Sequence, residues 1–256
     1  MSEADSQIST ATQFVDEVDL PPAVGGMRAA KSLPEMIKPV NAEQSLVVGH
    51  GVLSFLPDLP SKHRETVASS FLLAQLAADK QAAADQDLDA WYRAFFEALK
   101  KLGWLVQEQG FKEFNKEGTG IETHKAILDV ASVLLGSASA AFDIVKSTLE
   151  SLNKLSRDEW IILFRREAEA AAGTLFQIAV AEQGQGGISI SLMAFQFRAR
   201  SVRSQVIFLK WNTTEANLRQ ASGKVFFSNT VAQGIGDRVA NKVRAYIGDY
   251  ITDVEI

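Results

Sequence analysis

The sequence predicts an α+β fold: a helical N-terminal half with one long apolar helix, an antiparallel β-meander of about four or five strands, and a closing amphipathic C-terminal helix. Three observations predict it. Over residues 61–83, 87–103 and 126–145 the apolar residues recur every three or four positions, the period of a helix. From Thr174 the period becomes two, with Phe176, Ile178 and Val180 alternating against Gln177 and Ala179. The helical period then returns, placing Val239, Val243, Tyr246, Ile247, Tyr250, Ile251 and Val254 on one stripe.

All six prolines (Pro21, Pro22, Pro34, Pro39, Pro57 and Pro60) fall in the first 60 residues, together with Gly25-Gly26. Proline removes a backbone donor and fixes φ, so residues 1–60 are expected to form an extended arm and residues 61–256 a single α+β domain. Phe14, Leu20, Met27 and Met36 give the arm apolar points of attachment, to its own body or to a neighbouring subunit. After Pro60, Val67, Phe71, Leu72 and Leu76 mark one face of a helix over roughly 61–83. A second helix carries Trp91, Phe95, Leu99 and Leu102, opened by Asp87 or Asp89 and closed by Gly103. Trp104 to Phe114 reads as a strand with a bulge at Gly110, followed by a loop at Gly118-Thr-Gly120.

Ala126 to Val145 reads as one long helix, the most apolar segment in the chain. Its polar positions Lys125, Asp129, Ser132, Gly136, Ser139, Asp143 and Ser147 form one narrow stripe. Ile127, Leu128, Val130, Leu134, Leu135, Phe142 and Val145 cover the rest and need a partner surface, whether protein core or lipid. Ala131, Gly136, Ala138, Ala140 and Ala141 permit close backbone approach. Asp129 and Asp143 bracket 13 uncharged residues, fewer than the roughly 20 that span a bilayer.

Ser156-Arg-Asp-Glu159 is a capping box that opens a helix through Trp160, Ile161 and Phe164. In the meander, Gly184-Gln-Gly-Gly187 supplies a turn, and Ile188 to Leu192 alternates. At Leu192-Met193 the phase slips by one, which predicts a bulge. Val206 to Leu209, apolar on both faces, suggests a central strand, and Val225 to Phe227 the last one.

Composition narrows the function classes. The absence of cysteine excludes disulfides, a thiol nucleophile and thiolate metal sites. Net charge is −5, and although residues 173–256 hold 9 basic against 6 acidic side chains, this is too weak a basic face for nucleic acid. The acidic start Met1-Ser-Glu-Ala-Asp-Ser6 is not a secretory signal, so synthesis in the cytoplasm is expected, with any export by a route outside the general secretory one.

No catalytic, metal or cofactor residues emerge, and no cofactor is expected. His50, His63 and His124 lack ligand spacing, and no G-x-S-x-G accompanies Gly49-His-Gly51. Asp85-Gln-Asp-Leu-Asp89 opens like a calcium loop but continues with Ala90 and Phe96 where glycine and an acid are required. Gly234-Ile-Gly236 lacks the strand and third glycine of a dinucleotide turn and reads as an ordinary turn. Arg198, Arg200, Arg203 and Lys210 cluster in sequence around one turn. They form either a patch for an anionic partner or a charged edge that discourages sheet aggregation.

Gly103-Trp-Leu-Val-Gln107, Ala194-Phe-Gln-Phe197, Phe208-Leu-Lys-Trp211 and Gly248-Asp249, in this order of elements, resemble a group of uncharacterised bacterial proteins with some fungal members. The resemblance spans roughly residues 60–256. It implies no established activity and a loose link to virulence or insecticidal factors. Three classes of function follow, in this order. The first is a non-enzymatic interaction or assembly protein that docks through its N-terminal arm on a protein partner or a second copy. The second is a membrane-active, toxin-like protein that uses the 126–145 helix at a lipid surface. An enzyme comes third.

Overall fold

The computed structural model describes residues 2–23, 33–39, 42–82, 87–108, 112–113, 121–154, 173–199, 210–211, 216–254 and 256. Its first half contains α1 (Glu3–Glu17), α2 (Leu33–Met36), β1 (Gln44–Val48), β2 (Gly51–Phe55), α3 (Ser61–Gln81), α4 (Leu88–Lys101), β3 (Leu105–Glu108), β4 (Lys112–Glu113) and β5 (Ile121–Glu122). Then come α5 (Thr123–Ala131), a π-helical turn (Ser132–Gly136), α6 (Ala140–Asn153), β6 (Gly173–Gly184), β7 (Gly187–Ala199), β8 (Lys210–Trp211) and β9 (Ala216–Ser228). The chain closes with α7 (Asn229–Val243), a 3₁₀ turn (Arg244–Tyr246), α8 (Ile247–Tyr250) and β10 (Ile251–Val254).

The fold class is α+β, as expected. Eight strands form one sheet in the order β10-β1-β2-β6-β7-β9-β3, with β4 also on β9. All pairings in it are antiparallel except β2 with β6, and β5 and β8 make a separate two-stranded ribbon. The antiparallel run β6-β7-β9 corresponds to the expected meander. It sits in the middle of a wider sheet that the N-terminal strands and the last strand extend.

Strand alternation sends successive side chains to opposite faces, and here both faces are covered. Leu46, Val48, Leu53, Phe55, Ile188, Ile190 and Leu192 pack beneath α1, α3, α4 and α7. Val47, Val52, Phe176, Ile178, Val180, Met193 and Phe195 pack beneath α5 and α6 in a second, smaller core. Two-sided burial removes the bulge expected at Leu192-Met193. The register of β7 on both β6 and β9 runs without interruption past that point. The apparent slip is where the second face becomes covered, so Met193 and Phe195 turn apolar while Leu192 and Ala194 continue the first face. Between β3 and β4 the register on β9 does advance by one residue, in keeping with an inserted residue between them; Gly110 itself lies outside the described residues.

The spine of the molecule is α3. Every residue from Thr66 to Ala78 is buried, so the helix is enclosed on all sides rather than along the one face that Val67, Phe71, Leu72 and Leu76 mark. Ala68, Ser69, Ala74 and Ala77 keep its circumference thin between α4 and α7. The helix α4 starts and stops as its sequence dictates. Asp87 Oδ1 accepts from the Ala90 amide at 2.9 Å. Gly103, at φ +89°, takes the left-handed position that lets its own amide reach Lys100 O and the Trp104 amide reach Leu99 O, a Schellman closure.

Three expectations are corrected. The first 60 residues are not an extended arm: they hold the 15-residue α1 and two strands inside the main sheet, because β1 and β2 are apolar on both faces and need neighbours on both sides. Gly234 and Gly236 are not a turn but lie in mid-α7, where a side chain on Gly234 would meet Ile8 of α1 and one on Gly236 would meet Thr66 of α3. The C-terminal stripe does not stay helical to Val254. It ends at Tyr250, and Ile251 and Val254, one on each face of β10, are both buried because both faces are covered. The capping box at Ser156, the strand at Val206–Leu209, Asp85, Gly25-Gly26, Met27 and the Gly118–Gly120 loop lie outside the described residues.

Candidate functional site

The layer on the second face of the sheet departs most from expectation. The single helix expected over Ala126–Val145 is two helices. The chain leaves α5 through a π-helical turn, Gly136 enters the left-handed region at φ +84°, and Ser139 is extended at ψ 150°. Ser139 then caps α6: its Oγ accepts from the Phe142 amide at 3.0 Å and donates to Gly136 O at 2.9 Å. Left-handed backbone followed by a serine cap is a stop and a fresh start, so Phe142 and Val145 belong to a second helix.

The resulting helical hairpin buries Ile127, Val130, Val145, Leu149 and Leu152 against the sheet, while Leu128, Leu134, Leu135 and Phe142 are half-buried at the margin. Its apex projects. Val133 is 88% exposed, and Gly136, Ser137, Ala138 and Ala140 beside it are exposed as well. Nothing lies within 4 Å of a Cβ built on Gly136, so its glycine is required by backbone angle alone. Gly136→Ala is expected to cost about 1–2 kcal/mol from the left-handed backbone, read as a lowered midpoint in urea with an unchanged slope.

Where α6 meets the sheet, three hydroxyls interrupt the apolar contact. Ser45 Oγ lies 2.8 Å from both Ser54 Oγ and Thr148 Oγ1, and Thr148 Oγ1 donates to Ile144 O at 2.6 Å. Ser45 and Ser54 are partners within the sheet, and Thr148 has one within its own helix. Separating α6 from the sheet therefore breaks the one hydroxyl contact that crosses the interface and leaves each of the three with a partner on its own side. Val52, Ser54, Val145, Leu149 and Ile178 line a narrow crevice there.

The basic cluster is only partly placed. Arg198 stands on β7 opposite Gly173 and Asn217, whereas Lys210 is on the separate ribbon opposite Glu122; Arg200 and Arg203 lie outside the described residues. Arg219, on the neighbouring strand, donates to Gln196 Oε1 at 2.9 Å and to Asp89 Oδ2 at 3.3 Å.

Sequence reasoning overlooked a polar node at the opposite face. His50, in the turn between β1 and β2, has Nε2 3.3 Å from Asp79 Oδ1, which also accepts from Trp91 Nε1 at 2.6 Å. The rings of His50 and Trp91 meet edge to face. Gln75 accepts from the His50 amide and donates to Val48 O and to Gln177 Oε1. Gly49-His-Gly51 was the signal for this turn. The node ties the turn to α3 and α4, and no hydroxyl or thiol nucleophile is among its members. His63 is likewise structural: its Nδ1 is 2.9 Å from Gln183 Oε1, and Gln183 in turn donates to Gly184 O and Gly187 O of the β6–β7 turn. Among the described residues no group of three acidic or histidine side chains could hold a metal ion.

No family model matches this chain, and no curated protein matches it by sequence. Solved structures do. An activated Cyt2Ba monomer from Bacillus thuringiensis subsp. israelensis aligns at 16% identity and a TM-score of 0.33, over 52% of this chain and 79% of that one. A delta-endotoxin aligns at 10% identity and 0.43, over 82% and 91%. The Evf virulence factor aligns at 10% identity and 0.36, over 95% and 89%.

Proposed function

We propose that this chain is a membrane-active protein of the toxin or virulence type, and that the α5–α6 hairpin is the part that meets lipid. The observation that carries the reading is the hairpin's separate core. The sheet keeps α1, α3, α4 and α7 on its other face through a distinct and larger apolar cluster. The hairpin can therefore leave without dismantling the rest. Its apex already presents Val133 to solvent, and the hydroxyls under α6 lose only one shared contact on separation. Among the described residues no helix is long and apolar enough to cross a membrane. The hairpin would instead lie in the interface, its apolar side toward the acyl chains.

The alternative, docking on a partner through the N-terminal segment, is less favoured because α1 spends its apolar side on its own chain. Ala11 and Val15 are buried, Ile8 packs on Gly234, and Arg238 grips both carboxylate oxygens of Asp16 at 2.7 Å.

A reversible lock tests the reading. The chain has no cysteine, so Ser45→Cys with Thr148→Cys introduces the only thiols, at positions whose hydroxyls are 2.8 Å apart. Oxidised, this variant is expected to release less than about a tenth of the dye that the reduced form releases from liposomes, since a disulfide holds α6 on the sheet. Equal release in both redox states, or no release by the wild-type protein from neutral and anionic liposomes alike, would sink the proposal.

A further inference from the structure

Resting on that reading, we infer that the α5–α6 segment meets lipid as one continuous amphipathic helix over Thr123–Asn153, and that the break at its apex belongs to the water-soluble form alone. The phase of the charges is the reason. At 3.6 residues per turn, a straight helix would place Lys125, Asp129, Asp143, Lys146 and Glu150 within one arc of about 100°. They come from both sides of the break, and each is exposed in the structure. A hairpin needs each helix to turn its own charges outward, but it does not need the two sets to keep one phase across the turn. A single helix lying in a lipid interface does.

The break is also short and local. Ala131 before the π-helical turn and Ser137 after it keep right-handed helical backbone, so the departure is concentrated at Gly136 and at Ser139. The hydrogen bonds that stabilise it stay within residues 136–143: the Ser139 hydroxyl and amide donate to Gly136 O, and the Phe142 and Asp143 amides donate to Ser139 O. What fixes the turn from outside is the seating of both helices on the sheet, where Ile127 and Val130 of α5 and Val145 and Leu149 of α6 are buried. Once α6 leaves, that constraint is gone. Helix ends also leave backbone groups without helical partners. At the exposed apex water reaches them; toward acyl chains it does not, and a continuous helix pairs them internally. Asp129 and Asp143 still leave only 13 uncharged residues between them, so the helix lies along the surface rather than across it.

Spin labels on Lys125→Cys and Lys146→Cys, in a full chain with no cysteine of its own, read the change. On vesicles of phosphatidylcholine, alone or with phosphatidylglycerol, the labels are expected about 30 Å apart, the length of a straight helix between those positions. In water, where the chain turns back at the apex, the distance is expected to be shorter. The variant that separates helix from hairpin is Ala140→Pro. Ala140 is exposed and is the first residue of α6 after its Ser139 cap, a position that favours proline, and the extended backbone of Ser139 accommodates it. In the continuous helix the same proline falls in the interior and breaks it. Ala140→Pro is therefore expected to keep the wild-type urea midpoint or raise it, to show no lengthening on vesicles, and to bind them about tenfold more weakly or worse. Labels that keep their short distance on vesicle-bound protein, or an Ala140→Pro chain that binds and lengthens as the parent does, overturn the continuous helix and leave the lipid reading standing. Absence of binding to either vesicle overturns the lipid reading, and the helix with it.

Discussion

Arg64→Met is expected to lower folding stability by about 3–5 kcal/mol, the cost of breaking a buried charged network, and the melting temperature by roughly 10 °C. Arg64 is fully buried, and its guanidinium donates to main-chain carbonyls. Its Nε donates to Leu59 O at 2.8 Å, Nη1 to Ala42 O at 2.9 Å, and Nη2 to Leu56 O and Pro57 O at 3.2 and 3.3 Å. Those carbonyls belong to the chain entering β1 and to the turn between β2 and α3, which Pro57 and Pro60 leave short of backbone donors. The guanidinium supplies the missing donors from the first turn of α3 and rests over the Phe55 ring. Burial pulls its pKa below the ordinary arginine value, with Asp58 opposing, and a guanidinium tolerates that shift without losing its charge. Methionine keeps apolar volume and leaves several buried carbonyls without this donor. Arg64→Lys is expected to rescue only part of the loss, since one ammonium cannot fan out to four carbonyls. Urea unfolding checks both, and a loss under about 1 kcal/mol for Arg64→Met would refute the assignment.

Gln75→Leu follows, with an expected loss of about 2–4 kcal/mol from buried polar groups left unpaired. Gln75 is the polar residue in the buried stretch of α3 that reaches down to the sheet. It accepts from the His50 amide at 3.1 Å and donates to Val48 O and Gln177 Oε1, both also at 3.1 Å. Leucine would fit the space while stranding an amide, a carbonyl and a second glutamine. Gly49, at φ +52°, and Gly51, where a Cβ would lie 2.5 Å from Gln177 O, show how closely the turn is drawn against α3 and β6. Gln75→Glu separates shape from chemistry: it keeps the acceptor for His50 and loses the donors, so an intermediate loss is expected. Indistinguishable urea midpoints for Gln75→Leu and wild type would remove the node from any account of stability.

Much of the fold was legible because local chemistry acts within a few residues. Asp87 and Gly103 bound α4 as capping rules require, and Gly184 to Gly187 turns β6 into β7 as a glycine hairpin should. The site was legible in part. Ile127, Val130 and Val145 do form an apolar surface, and Asp129 and Asp143 do bracket an uncharged run. The break between them was hidden because Gly136 and Ser139 fit the polar stripe of a continuous helix as well as they fit a stop and a cap.

The sequence by itself determined the α+β class, the switch of period near Thr174 and the ends of α4, since each depends on spacing or on residues in local contact. The tertiary structure alone decided three things. Residues 66–78 and 130–142 are both thirteen residues without charge, yet the first became the enclosed spine and the second a hairpin with an exposed apex. Ile251 to Val254 fits a helical stripe and a strand equally, and the open edge of β1 selected the strand. Gly234 and Gly236 became contact points for two helices from distant parts of the chain. The reason is common to all three. An apolar residue records that it must be covered, and a small one that something comes close, but neither records which partner does so.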